Sequence, residues 1–269
     1  MKAIAIIGYH HTGKTTAAIA LISALKARGY KVASIKDIHS EAYRADKDGS
    51  NSAKHAAAGS SAVFARGIYD SALILPGSQQ RDGSYIQPDL AEIISYLKAD
   101  WLVIEGMKDA PVPKIVCAET TEQLDELIDE TTIGISGIIS GELESYQGLP
   151  VFCLQKQHDA FVETVLRRSF EILPCSPPEC CSACGKDCYQ MACDIVQGRA
   201  KRNACVQDNA KELILKIAGE ELAIVPFVQK LLKDSILSFV HNLKGVDKAG
   251  SIEISINPLA SEEDLGAPF

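Results

Sequence analysis

The stretch Gly8-Tyr9-His10-His11-Thr12-Gly13-Lys14-Thr15 places glycine, lysine and a hydroxyl at the spacing G-x-x-x-x-G-K-[ST]. Those residue types in that order bind phosphate. The glycines permit turns that aim successive backbone N–H groups at an anion, the lysine reaches the β- and γ-phosphates, and the threonine hydroxyl offers a ligand to Mg²⁺. The candidate phosphate-contacting set is Gly8, His11, Thr12, Gly13, Lys14, Thr15 and Thr16. The His10 and His11 side chains read as solvent-facing filler, or as contacts to a neighbouring subunit's nucleotide. Glu105 closes the apolar run Trp101-Leu102-Val103-Ile104. A carboxylate at the carboxyl end of a buried parallel strand lies on the ligand rim of the sheet, where it can hold Mg²⁺ through water or order an attacking water. The alternative for Glu105 is a merely solvated strand end.

A third chemical group is made of cysteine. Seven of the nine cysteines fall between Cys175 and Cys205. Within them, Cys181-x2-Cys184-x3-Cys188-x16-Cys205, with Gly185 in the turn, supplies four thiolates of the kind that enclose a cuboidal iron–sulfur cluster. A structural zinc site of four cysteines is the rival, although zinc sites more often pair two C-x2-C halves. Cys180 could replace Cys181. Cys193 falls inside a helical stretch and reads as core, and Cys117 and Cys153 read as small hydrophobes in buried strands.

The elements that position these groups follow from periodicity. Ala3 to Ile7 is a strand feeding the loop, and Ala18, Leu21, Ile22 and Leu25 repeat at i, i+3, i+4, i+7 with Gly29 as a stop, so the loop sits at a helix N-terminus. Lys31 to Ile35 is a second strand, from which Lys36 to His39 leaves toward the ligand edge. Ser40 to Ala58 is polar and suits a switch loop or a solvated surface loop. Ser61 to Ala65 and Ser71 to Leu75 suit a hairpin attached to the sheet. A helix through Leu90, Ile93, Ile94 and Leu97, strands at Lys114 to Ala118, Ile133 to Ser140 and Val151 to Leu154, a Thr120 capping box, and a helix from about Asp159 to Phe170 follow. This alternation is an α/β fold, a doubly wound, mostly parallel sheet.

Pro174 to Cys180 marks a boundary, so the expected organisation is a nucleotide-binding domain over 1–173 and a cysteine module over 174–207 with a helix from about Cys188 to Val196. A ββαβ docking or dimerisation module over 208–258 and a frayed tail over 259–269 complete it. With 269 residues and a net charge of −8, the chain has no basic footprint for nucleic acid or an anionic membrane. The opening strand leaves no room for a signal segment, and no apolar run approaches ~20 residues, so a soluble cytoplasmic protein is expected.

Residues 1 to about 170 resemble the molybdopterin-guanine dinucleotide biosynthesis protein B (MobB) family of P-loop GTP-binding proteins. The resemblance is carried by GYHHTGKTT, by Lys36 to His39, by D-x-x-G-S-N-S-x-K-H-x-x-A-G from Asp46 to Gly59, and by WLVIEGMK. Asp46, Gly49, Ser52, His55 and Gly59 match the family's second segment, whereas Ser50 and Asn51 replace a Lys-Asp pair. That replacement removes one candidate carboxylate and favours nucleotide binding over hydrolysis. The resemblance implies GTP with Mg²⁺, slow hydrolysis with Lys14, Glu105 and Asp46 at the reaction centre, and a homodimer. It also implies a partner: the enzyme that joins GMP to molybdopterin, or a redox enzyme awaiting cofactor.

The cysteine set also resembles the small [4Fe–4S] domain of redox-complex subunits, with the shorter third spacing. The leading expectation is a GTP-binding adaptor of molybdenum or tungsten cofactor assembly that carries an added [4Fe–4S]-type module. The alternative is a nucleotide-gated iron–sulfur electron-transfer or metal-insertion protein, and a small-molecule kinase is a weaker third.

Overall fold

The computed structural model describes residues 1–40, 42–79, 85–175, 181, 184–206, 213, 215–217, 220–222, 226–243, 252 and 254. The elements in order are β1 (Lys2–Gly8), α1 (Lys14–Ala27), β2 (Val32–Lys36), α2 (Asn51–Ala57), β3 (Val63–Arg66), β4 (Ser71–Ile74), β5 (Ser78–Gln79), β6 (Tyr85–Ile86), α3 (Leu90–Ser95), β7 (Trp101–Glu105), β8 (Lys114–Cys117), α4 (Thr121–Leu127) and β9 (Thr132–Ser136). After them come β10 (Ser145–Tyr146), β11 (Leu149–Pro150), α5 (Leu154–Arg168), α6 (Cys188–Val196), β12 (Leu215–Ile217), β13 (Glu220–Leu222) and α7 (Pro226–His241).

Five strands form a sheet in the order β2-β7-β1-β8-β9, every neighbouring pair parallel. A parallel sheet covered on both faces needs strands that are apolar throughout. Accordingly, Ala3 to Ile7 and Trp101 to Ile104 are all buried. On one face Ile4 and Ile6 pack with Leu21 and Leu25 of α1, Phe161 and Val165 of α5, and Met191 and Val196 of α6. On the other, Ala3, Ala5 and Ile7 pack with Leu90 of α3 and Leu124 of α4. Each fully buried Leu or Phe contributes about 1.5–3 kcal/mol.

The pairing of β3 with β4 differs from expectation. The hairpin exists, but it is a two-stranded ribbon of its own and pairs with no strand of the central sheet. Its residues explain why: Phe64, Ile68 and Tyr69 project into solvent, and of the two strands only Val63 is buried. Val151 is only a single bridge to Ile135, and the chain turns at once into α5, so the strand expected over Val151 to Leu154 is absent. Cys153 is therefore the residue capping α5, half-exposed, and not a strand hydrophobe. Thr120 caps α4 as expected, whereas Gln123 reaches back to the Glu119 N–H and not to the Thr120 N–H.

The cysteine stretch was expected as a separate module, yet α6 shares the core beneath α1 and α5. Asp187 and Gln190 form a capping box at its start, and Gly198, at φ 73°, follows its end. Side chains fasten this stretch to the sheet domain. Arg199 forks onto both Glu130 oxygens at 2.8 Å, Arg168 donates to the Val196 carbonyl at 3.1 Å, and Arg202 donates to the Ile172 carbonyl at 2.7 Å. Residues Met1–Pro226 form one compact unit and Phe227–Phe269 a second. The hairpin β12–β13 is antiparallel, and α7 starts at Pro226. Of the expected strand over Ile252 to Ile256, only Ile252 and Ile254 are described, and neither is in a strand; the tail over 259–269 and Cys180 lie outside the described residues.

Candidate functional site

The phosphate loop is held from beneath by two strand ends. A Cβ at Gly8 would run into the Cys117 carbonyl, and one at Gly137, where φ is +93°, would come within 2.9 Å of both the N and O of Ala118. Gly13, at φ +99°, leads the chain into α1. Thr12 is fully buried and donates to the Tyr9 carbonyl at 2.9 Å, and the Lys14 ammonium also contacts that carbonyl. Burial lowers the pKa of Lys14, and nearby Lys36 adds to this. Tyr9 in turn donates its hydroxyl to Glu126 of α4. The loop is thus anchored through its small and buried residues while Tyr9, His10 and His11 stay exposed.

Thr15 and Glu105 meet as the sequence anticipates, with Thr15 Oγ1 2.7 Å from Glu105 Oε1. Lys36 stands opposite Glu105 in the β2–β7 register and pairs with the same oxygen. Burial pushes the Glu105 carboxyl up, but the hydrogen bonds from Lys36 and Thr15 outweigh it, so the group lies below the usual carboxylate range. A second carboxylate stands beside it: Asp37 Oδ2 accepts from the Met107 N–H at 3.1 Å and lies 3.0 Å from His39 Nε2. The sequence leads Lys36 to His39 toward the ligand edge without singling out Asp37, although its place just past a strand's carboxyl end is the signal that selected Glu105. Gly106, at φ +103°, brings the two together, because a Cβ there would lie 2.8 Å from Asp37 Cβ.

Asp46 lies elsewhere. It accepts from Ser50 Oγ at 2.9 Å, and Ser50 itself caps α2 by accepting from the Ala53 N–H at 3.0 Å. Hydrogen bonds from Ser52 and Ser50 hold Asp46 below the usual range. It is absent from the lining of the cleft around the phosphate loop, so its part here is to build the turn before α2. The hard oxygens of Thr15 and Glu105 fit Mg²⁺, which takes one or two carboxylates and completes its shell with waters and phosphates.

The cleft measures about 1320 Å³, and its wall also includes Cys175, Asp187, Cys188 and Tyr189. Cys184 and Cys188, both half-buried, and the buried Cys205 pack against one apolar cluster. Among the described residues, however, no three histidine, cysteine or acidic side chains are gathered as a metal site, so the structure does not show the centre expected of Cys181, Cys184, Cys188 and Cys205. Cys184 donates to the Lys186 carbonyl at 3.4 Å, and Cys205 is only 5% exposed. Burial, and then the neighbouring Cys188, push the Cys175 thiol up to about 12. Burial likewise pushes Cys117 up to about 12. Cys193 is buried, as read.

The family model described as molybdopterin guanine dinucleotide synthesis protein B matches residues 3–140, half of the 269-residue chain. The chain belongs to the MobB family. Similar proteins include a putative molybdopterin-guanine dinucleotide biosynthesis adapter protein of Methanocaldococcus jannaschii, 28% identical over 96% of this chain and 98% of that relative. An adapter protein of Haemophilus influenzae is 33% identical over 49% of this chain and 72% of its own length. The crystal structure of Bacillus subtilis MobB superposes with a TM-score of 0.50 at 24% identity, over 61% of this chain and 98% of that one, which shows a shared fold. The MobB match contains the phosphate loop, Asp37 and Glu105 and ends before the cysteine stretch. No helix among the described residues is long and apolar enough to cross a membrane.

Proposed function

We propose that this chain is a GTP-binding adaptor in molybdopterin guanine dinucleotide synthesis, binding GTP with Mg²⁺ and hydrolysing it slowly. The observation that carries the reading is the 2.7 Å contact of Thr15 with Glu105 at the mouth of a glycine-framed loop, in a chain of the MobB family. Gly8, His11, Thr12, Gly13, Lys14, Thr15 and Thr16 supply the phosphate contacts, and Thr15 and Glu105 supply oxygens to Mg²⁺, which when bound neutralises charge on the phosphates. The partner is the enzyme that joins GMP to molybdopterin, or a redox enzyme awaiting the finished cofactor. Calorimetric titration with GTP, ATP and the partner tests this, and tight ATP binding without affinity for GTP overturns the base assignment.

The protein acts as a homodimer in this reading. Support comes from the β3–β4 ribbon, where Ile68 is 95% and Tyr69 96% exposed, a concentration of apolar surface unusual for a lone hairpin. Light scattering of the unaltered protein and of an Ile68→Ser, Tyr69→Ser variant decides it; equal mass as monomers removes the claim.

A second reading, a nucleotide-gated iron–sulfur or metal-insertion protein, is favoured by one observation: the wall of the cleft includes Cys188 together with the phosphate loop. Its metal would be bound by Cys181, Cys184, Cys188 and Cys205, as a [4Fe–4S] cluster or as zinc. Anaerobic purification followed by iron, sulfide and zinc analysis tests it, and a protein free of all three ends the reading.

A further inference from the structure

Glu105 Oε1 serves two donors at once, the Thr15 hydroxyl at 2.7 Å and the Lys36 ammonium. The Glu105 side chain is only 11% exposed, whereas Lys36 is 58% exposed on a flexible four-carbon stem. Lys36 also lines the cleft that contains Lys14. An ammonium and a divalent cation cannot share one carboxylate oxygen without strong like-charge repulsion. Whatever Glu105 and Thr15 offer to Mg²⁺ must therefore be given up by Lys36. A polyphosphate seated on the loop would bring a new anion, its far end, to the cleft that Lys36 lines.

Resting on the nucleotide-binding reading above, we infer that Lys36 is a second phosphate lysine, exchanging between the Glu105 carboxylate and the terminal phosphate of a nucleoside triphosphate. The exchange makes the site selective for triphosphate over diphosphate, because only the longer chain offers Lys36 an anion in return for the one it leaves. It also sets Lys36 in competition with a divalent metal for Glu105. Lys14 differs in that its ammonium rests on the Tyr9 carbonyl within its own loop.

The test uses the full chain with Lys36→Met and Lys36→Arg. GTP and GDP are titrated in Mg²⁺, and Mn²⁺ alone is titrated by paramagnetic resonance. Lys36→Met is expected to weaken GTP by ~10-fold, the loss of one charge-assisted hydrogen bond, while GDP changes by less than about twofold. The same variant should bind Mn²⁺ alone several-fold more tightly, and Lys36→Arg should keep the triphosphate preference. Equal losses for GTP and GDP, or an unchanged ratio with unchanged Mn²⁺ affinity, overturn the inference. ATP and ADP replace the guanine pair if the base assignment fails, which separates that failure from this one. Should the unaltered protein bind no nucleotide at all, the nucleotide reading falls and the inference with it. Lys36→Gln repeats the comparison if Lys36→Met does not fold.

Discussion

The fully buried ammonium of Lys114 lies 2.8 Å from Asp129 Oδ2, and Tyr189 of α6 closes the group by donating its hydroxyl to the same oxygen at 2.6 Å. The Tyr189 ring also lies under the ammonium, 4.5 Å from its centroid. Removing one partner of a buried ion pair leaves an uncompensated charge. Asp129→Ala should therefore cost about 3–5 kcal/mol in chemical denaturation, and Tyr189→Phe about 1–3 kcal/mol.

The same carboxylate sets an acid limit. Burial pushes Asp129 up, but hydrogen bonds from Lys114, Thr131 and Tyr189 outweigh it, so its folded pKa lies below the unfolded value of about 3.9. A group depressed on folding contributes stability above its unfolded pKa and loses it as pH falls through the folded one. Melting temperatures should hold above about pH 5 and fall below about pH 4. Asp129→Asn should flatten that fall while lowering the plateau.

Three carboxylates separate by place. Asp37→Asn and Glu105→Gln should each reduce Mg²⁺-dependent nucleotide affinity by ~10-fold or more, with little effect on binding measured in chelator. Asp46→Ala should leave both affinities within about twofold and only loosen the start of α2, since losing support for a helix cap costs about 0.5–2 kcal/mol. Parallel titrations with and without Mg²⁺ check the contrast.

Gly137 supports the phosphate loop without touching a ligand. Its φ of +93° disfavours any side chain, and a methyl group would press on Thr12 and Ala118 backbone atoms at once. Gly137→Ala should destabilise the protein by about 1–3 kcal/mol and weaken nucleotide binding together. Gly141→Ala, with open space around it, is the silent control in the same melting and titration experiments.

The phosphate loop was legible because its chemistry depends on residue types at fixed intervals, and Glu105 because an apolar strand ran straight into it. The helix Cys188–Val196 was legible for a similar reason, with Asp187 before it and Gly198 after. Asp37 was not singled out because a polar segment follows its strand and no periodicity sets it apart. The β3–β4 ribbon was misplaced because alternation within a hairpin says which strands pair with each other, not whether an outer edge finds a third. Lys114 gave no signal at all: a lysine opening a strand looks solvated until Asp129 and Tyr189, 15 and 75 residues away, are brought to it. Four cysteines at suggestive intervals likewise could not reveal that Cys205 would be packed among apolar side chains.

Strand β8 begins at Lys114, beneath Tyr189, and ends at Cys117, whose carbonyl abuts Gly8. Four residues of extended chain, roughly 13 Å, join the cysteine helix to the nucleotide loop. The consequence is practical as well as architectural. A chain cut near residue 173 would strip Tyr189 from a buried lysine and bare the sheet face that Met191 and Val196 cover, so the nucleotide half is not a portable part. Anyone seeking a minimal version of this protein for crystallisation or pull-down should keep the sequence through Val206.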